Sequence, residues 1–320
     1  MCEHEHGYTA LHFAGLSGNV EVCNLLLLAG AKVNATNTVN RTPAQMAAFV
    51  GNHGCVTTIN NFVPKIEIEY YTVPQGMQKT PYLPMYLSDN FHKFVMQVNV
   101  HPVRVALNLQ SAVGLVDHLD EVKKVLVLMS EKEMKRKEVN EVMSFKFHYF
   151  GYVVGEIARI SKNKKDNETE EKKSDVFEVF TRKMLKPAKD GNLDFMDSFL
   201  KECIREYSFR DCTLFKQIVT SVTRDDSPSV LSIITTAING QRAFTEVVSV
   251  CNTCGEEKPA KKCSKCKVVQ YCDRNCQRLH WFVHKKSCAR LEHNGQLLES
   301  GQKVTASDIS SELQNMLVNN

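Results

Sequence analysis

Between positions 251 and 288 the chain spaces eight metal-ligand residues, seven cysteines and His284, in the order Cys251-x2-Cys254-x8-Cys263-x2-Cys266-x5-Cys272-x3-Cys276-x7-His284-x3-Cys288. A Cys-x2-Cys knuckle turns both sulfurs toward one point, and a structural zinc site needs four such ligands in a tetrahedron. Eight ligands in four pairs therefore predict two zinc ions, each with all four positions filled. A filled site cannot activate water, so the metal is expected to build a fold and not to perform chemistry. A disulfide framework is the competing reading of a cysteine-rich segment, and this spacing does not favour it. The remaining cysteines, Cys2, Cys23, Cys55, Cys203 and Cys212, are scattered and odd in number, as expected of a reducing compartment.

The start of the chain has neither a basic region nor an apolar run, and no stretch of about 18 apolar residues follows. The chain therefore reads as a soluble cytoplasmic protein without a membrane span. Its formal charge of +4 over 320 residues is too small to argue for nucleic acid. That length has room for roughly two to three domains.

A repeat opens the chain. Thr9-Ala10-Leu11-His12-Phe13-Ala14, then Gly18-Asn19, return as Thr42-Pro43-Ala44-Gln45-Met46-Ala47 and Gly51-Asn52, offset throughout by 33 residues. Threonine opens a short helix, alanine lets its paired helix approach, and glycine breaks the turn; the leucine run 25–28 is the buried second helix. That period, with a Thr-x-Leu-His-x-Ala start, resembles the ankyrin repeat, with a first copy at 7–39 and a second from 40 within residues 1–62. His12 is expected to support the turn between repeats and not to bind metal. Roughly three such units are needed for stability. Either the chain is a shortened form lacking an upstream repeat, or the region that follows acts as the cap.

The middle is less specific. Pro64, Pro74, Pro81 and Pro84 cluster within 63–85, which predicts an extended connector and not a helix. Helical periodicity follows from 86 to 245. Val122, Val125, Leu126 and Met129 share one face. Phe195, Met196, Phe199, Leu200, Cys203, Ile204 and Tyr207 share another, after a turn at 190–192. A charged run without apolar residues at 161–174 predicts a solvated, disordered loop, and 289–320 reads as a polar tail. The expected fold is mainly α: repeat hairpins, an all-α middle domain and a small double-zinc module.

His118, Asp120 and His148 could mimic an iron-binding facial triad, but residues two apart on a helix point in different directions. No Gly-x-Ser-x-Gly, phosphate loop or His-Glu-x-x-His occurs.

The ligand order, with Tyr271, Gln277 and Trp281 around it, resembles the MYND zinc finger over 251–288. The resemblance implies that Cys251, Cys254, Cys272 and Cys276 hold one zinc, and Cys263, Cys266, His284 and Cys288 the other. It further implies a protein-interaction module whose Gln277 and Trp281 bind an extended, proline-containing peptide. Physically, an aromatic face suits a proline ring in a pre-extended peptide. Between 251 and 290, ten lysines and arginines face three carboxylates; with seven thiolates on two divalent ions the module keeps a formal charge of +4, able to steer acidic peptides. DNA binding lacks a recognition helix, and a RING-type ligase has different ligand spacing.

Repeats followed by this finger resemble the ankyrin-repeat and MYND-domain-containing proteins. The resemblance implies a non-catalytic adaptor in the cytoplasm, trafficking signalling proteins to the primary cilium. A nuclear co-repressor recruiter is the alternative, though the paired lysines 261–262 and 285–286 are sparse for a nuclear signal. A SET-type methyltransferase would need an Asn-His-Ser motif, which is absent.

Overall fold

The computed structural model describes residues 5–167, 175–187, 193–224, 228–240 and 249–292. The chain is mainly α and forms two compact units, Met1–Val248 and Ser249–Asn320.

The first unit opens with two helix pairs, α1 (Ala10–Ser17) with α2 (Val20–Leu28) and α3 (Pro43–Phe49) with α4 (His53–Asn60). Thr9 and Thr42 each cap a helix through reciprocal bonds with the residue three positions on, His12 in α1 and Gln45 in α3. Pro43 takes the first position of α3, where its missing N–H has no partner to lose. At Gly15 an added Cβ would lie 3.1 Å from the Pro43 carbonyl and 3.2 Å from the Ala47 Cβ. A side chain here would push α1 and α3 apart by a few tenths of an ångström. Leu11, Ala14, Cys23, Leu27, Ala47, Cys55 and Ile59 fill the space between the four helices. His12 is wholly buried and does support the turn between repeats: its Nε2 donates to the Arg41 carbonyl at 2.9 Å while Nδ1 accepts from the Thr9 amide at 3.1 Å.

The segment 63–85 is not extended throughout. α5 (Lys65–Glu69) forms there and runs into a single 3-10 turn, Tyr70–Thr72, which buries Tyr71 beside Ile68. Pro64 caps the start of α5 with φ −58°, so proline here begins a helix instead of preventing one. Glu67 on α5 then pairs with Lys132 and, at 3.1 Å, with Arg136.

α6 (Ser88–Val95), α7 (Pro102–Ser111), α8 (Leu119–Lys135) and α9 (Glu141–Asn167) follow. α8 and α9 form an antiparallel hairpin: Lys162 reaches back to Asp120 at 2.8 Å, and near the turn the Ser144 hydroxyl donates to the Ser130 carbonyl at 2.8 Å. The predicted face Val122, Val125, Leu126 and Met129 is buried. α9 is buried on most sides over 143–158, with only a half-buried strip at His148, Tyr152, Gly155 and Glu156, the mark of a helix enclosed by others. α7, α8, α10 (Val176–Met184), α11 (Asp194–Arg205), α12 (Thr213–Val222) and α13 (Val230–Asn239) all pack against it.

Several boundaries differ from expectation. α9 continues to Asn167, through the first half of the run expected to be a loop. The rest of that run, 168–174, lies outside the described residues, as do the turn at 190–192 and residues 293–320. Residues 289–292, expected in the tail, are helical. Phe195 lies in the first turn of α11, where the packed stripe runs out, and is 40% exposed; Met196, Phe199, Leu200, Cys203, Ile204 and Tyr207 are buried. Contacts draw no line at 62 or at 86, so repeats, connector and helices belong to one unit. Asn239, the last residue of α13, accepts from the Asn61 side chain (3.1 Å) and the Thr57 hydroxyl, and donates to the Val98 carbonyl (3.0 Å). α13 thereby covers the outer side of the second helix pair.

The second unit holds a short antiparallel pair, β1 (Lys261–Lys262) and β2 (Gln270–Tyr271), with Lys261 opposite Tyr271, followed by α14 (Arg274–His284). No helix among the described residues is long and apolar enough to cross a membrane.

Candidate metal centre

Two tight turns and one helix bring the eight ligands together. In the first knuckle the Gly255 amide closes onto the Cys251 carbonyl at 2.9 Å, and Gly255 takes φ +67°. The second knuckle repeats this with Lys267, whose amide reaches the Cys263 carbonyl at 2.9 Å with φ +56°. β2 leads to Cys272, and Asp273 caps α14 by accepting from the Cys276 amide at 2.8 Å. Cys276 and His284 then project from the buried side of that helix.

The outcome is two groups, Cys251, Cys254, Cys272 and Cys276, and Cys263, Cys266, His284 and Cys288, each with its donor atoms within 4.8 Å of one another. Every ligand named from the sequence is present, in the pairing that the resemblance implied. The groups interleave along the chain. The donor separations decide what they hold. Cys254 and Cys272 sulfurs are 3.6 Å apart, Cys254 and Cys276 3.9 Å, Cys263 and Cys288 3.9 Å, and the Cys266 sulfur is 3.5 Å from His284 Nε2. Ligands about 2.3 Å from a central zinc in a tetrahedron lie about 3.8 Å from each other. Disulfide sulfurs would lie at about 2 Å. The donor sets, four thiolates in one group and three with an imidazole in the other, fit two structural zinc ions.

The thiols divide electrostatically: Cys251 and Cys263 are held down, while hydrogen bonding to Cys251 pushes Cys254 and Cys276 up and burial beside Cys263 pushes Cys288 up, a crowding of charge that divalent ions would relieve. Burial raises the Cys263 thiol, but the Cys266 amide, the His284 ring and the Lys265 amide more than offset this and bring it down to about 6. Hydrogen bonds from Cys254 and Cys276 hold Cys251 far below the ordinary thiol range. Both ions would sit behind protein: seven of the eight ligands are buried, and Cys272 is half-buried. Neither site has a position open to substrate.

Several supporting residues carried no sequence signal of their own. The buried Thr253 hydroxyl donates to the Cys276 carbonyl at 2.7 Å, joining the first knuckle to α14. Asn252 bonds Gln270 twice, through its amide and its side chain, and so ties the same knuckle to β2. His280 is no ligand; it meets the Tyr271 hydroxyl at 3.1 Å, and burial, with His284 beside it, brings its pKa down to about 4. His118 lies against the Tyr86 hydroxyl and His148 against the Cys203 carbonyl, so the set-aside triad is not assembled.

Trp281 and Gln277 lie one turn apart on α14. Trp281 is 45% exposed, with its ring centroid 5.8 Å from that of His284, and Gln277 is half-buried.

Comparison with known families matches the MYND finger at residues 251–288 and the ankyrin repeat at 6–38. The chain carries an ankyrin repeat and a MYND finger. Dauer abnormal formation protein 25 of Caenorhabditis elegans is 27% identical over 309 residues, covering 94% of this chain and 76% of that protein. Histone-lysine N-methyltransferase Smyd1 of Mus musculus is 33% identical over 76 residues, 22% of this chain but only 16% of that enzyme. E3 ubiquitin-protein ligase KEG of Arabidopsis thaliana shares 55 residues at 40% identity, 3% of its length. No solved structure matches. Ankyrin repeats and MYND fingers are protein-interaction modules, so both recognisable parts of this ankyrin and MYND chain are built to bind protein.

Proposed function

We propose that this chain is a non-catalytic adaptor: the repeats hold one protein, the MYND finger takes an extended, proline-containing peptide across Gln277 and Trp281, and the helices between set the geometry. The observation that carries this reading is the half-exposed Trp281, one turn from Gln277, on a helix anchored to both zinc sites by Cys276 and His284. An indole held this way offers a flat apolar face at no cost in ordering, which suits a proline ring. The closed zinc sites support binding over chemistry, as does the small share of the methyltransferases' length that this chain matches. The resemblance to ankyrin and MYND proteins supports a cytoplasmic role in delivering signalling proteins to the primary cilium.

The test is a pull-down from ciliated cells comparing the wild type with Trp281→Ala, with zinc content measured in both. Loss of a defined set of partners while two zincs remain supports the peptide site. An unchanged partner list refutes it. Imaging the tagged chain addresses location, and a nuclear signal would favour the co-repressor reading.

A further inference from the structure

The exposed face of α14 says more about the peptide than that it contains proline. Arg274, Arg278, Trp281 and Lys285 follow at intervals of four, three and four residues, so they form one stripe along the helix, and all four are exposed. The opposite side, Cys276, Leu279 and His284, is buried against the metal sites. α14 contains no acidic residue. The carboxylate of Asp273 is committed to capping the helix, through the Cys276 amide at 2.8 Å. Cations therefore stand on both sides of the indole.

Building on the peptide-binding reading, we infer that the finger selects peptides bearing carboxylate side chains on both sides of the proline that rests on Trp281. Helix rise places Arg274 about 10 Å on one side of Trp281 and Lys285 about 6 Å on the other. An extended peptide advances about 3.3 Å per residue. Carboxylates two to three residues from the proline in each direction reach these cations. Long-range attraction to the positive finger raises the encounter rate, and the register of charge fixes which proline sits on the indole.

Trp281 is the only tryptophan in the chain, so its fluorescence reports binding directly in the full-length protein. The probes are three synthetic peptides with one central proline: one with Glu two and three positions to either side, one with Gln at those positions, and one with Lys. The Glu peptide is expected to bind roughly tenfold more tightly than the Gln peptide at low salt, with the gap closing in concentrated NaCl and the Lys peptide weakest. The triple variant Arg274→Gln, Arg278→Gln, Lys285→Gln should keep two zincs and its affinity for the Gln peptide while losing the preference for Glu. Equal affinity for the Glu and Gln peptides overturns the charge selection and leaves the groove reading standing. Failure of all three peptides to bind removes the groove reading and this inference together. A single-stranded oligonucleotide that displaces the Glu peptide at lower concentration would reassign the stripe to nucleic acid.

Discussion

Lys146 lies inside α9 with its side chain wholly buried, its Nζ 5.3 Å from the centre of the Phe150 ring and without a hydrogen-bond partner. Burial penalises the ammonium and brings its pKa down from 10.5 to about 7. The sign of the pH effect follows. Between those two values the unfolded chain holds a proton that the folded chain has released, so stability rises with pH across that window and is lowest below it. Lys146→Met replaces the amine with an apolar group of similar length. Urea unfolding should show the variant more stable at pH 7, with its advantage shrinking by about 1.4 kcal/mol per pH unit toward pH 9. A constant difference would show that the lysine is not the source. His12 carries the opposite lesson, since a buried polar group can be fully used. It bonds its own helix cap and the backbone of the next repeat. His12→Ala should lower unfolding free energy by about 2–3 kcal/mol, read from denaturant midpoints.

At the level of elements, the finger depends on its ions. Short strands and one 11-residue helix bury too little apolar surface to fold alone, so most of its folding free energy must come from zinc. Cys263→Ser should reduce zinc by at least one ion per chain and abolish proteolytic protection of residues 251–288; two retained zincs would refute this. The ligands were legible in the sequence because coordination geometry imposes short, fixed spacings. So was the repeat, because the caps at Thr9 and Thr42 must recur at the stacking period. α5 was not legible: proline reads as a breaker in sequence, whereas Pro64 stands at the start of a helix, where it costs nothing. Nor was the length of α9, since its last turns contain no apolar residue and extend a helix that is buried further back. Thr253 and Asn252 gave no signal because a lone hydroxyl or amide acquires its role only from what folds against it.

Across the whole first unit, α13 closes the outer side of the second helix pair, over a hundred residues away in sequence. Solenoid units need a neighbour on each side, and here a helix from outside the repeats serves as one. Asn239 is the centre of that junction, with bonds to Asn61, Thr57 and Val98. Asn239→Ala should cost about 2 kcal/mol, and residues 1–248 should still unfold in one transition. A separate, earlier melting of residues 1–62 would show that the repeats are not held by the rest. The interleaved ligands have a further consequence for how the molecule is made. Translation delivers Cys251, Cys254, Cys263 and Cys266 before any other ligand, and these four thiols already form a complete set for one ion. Every new chain thus passes through a stage in which a wrong tetrad is available and the right ones are not. An ion bound before Cys276 has emerged must change partners afterwards, and the second site is complete only with Cys288.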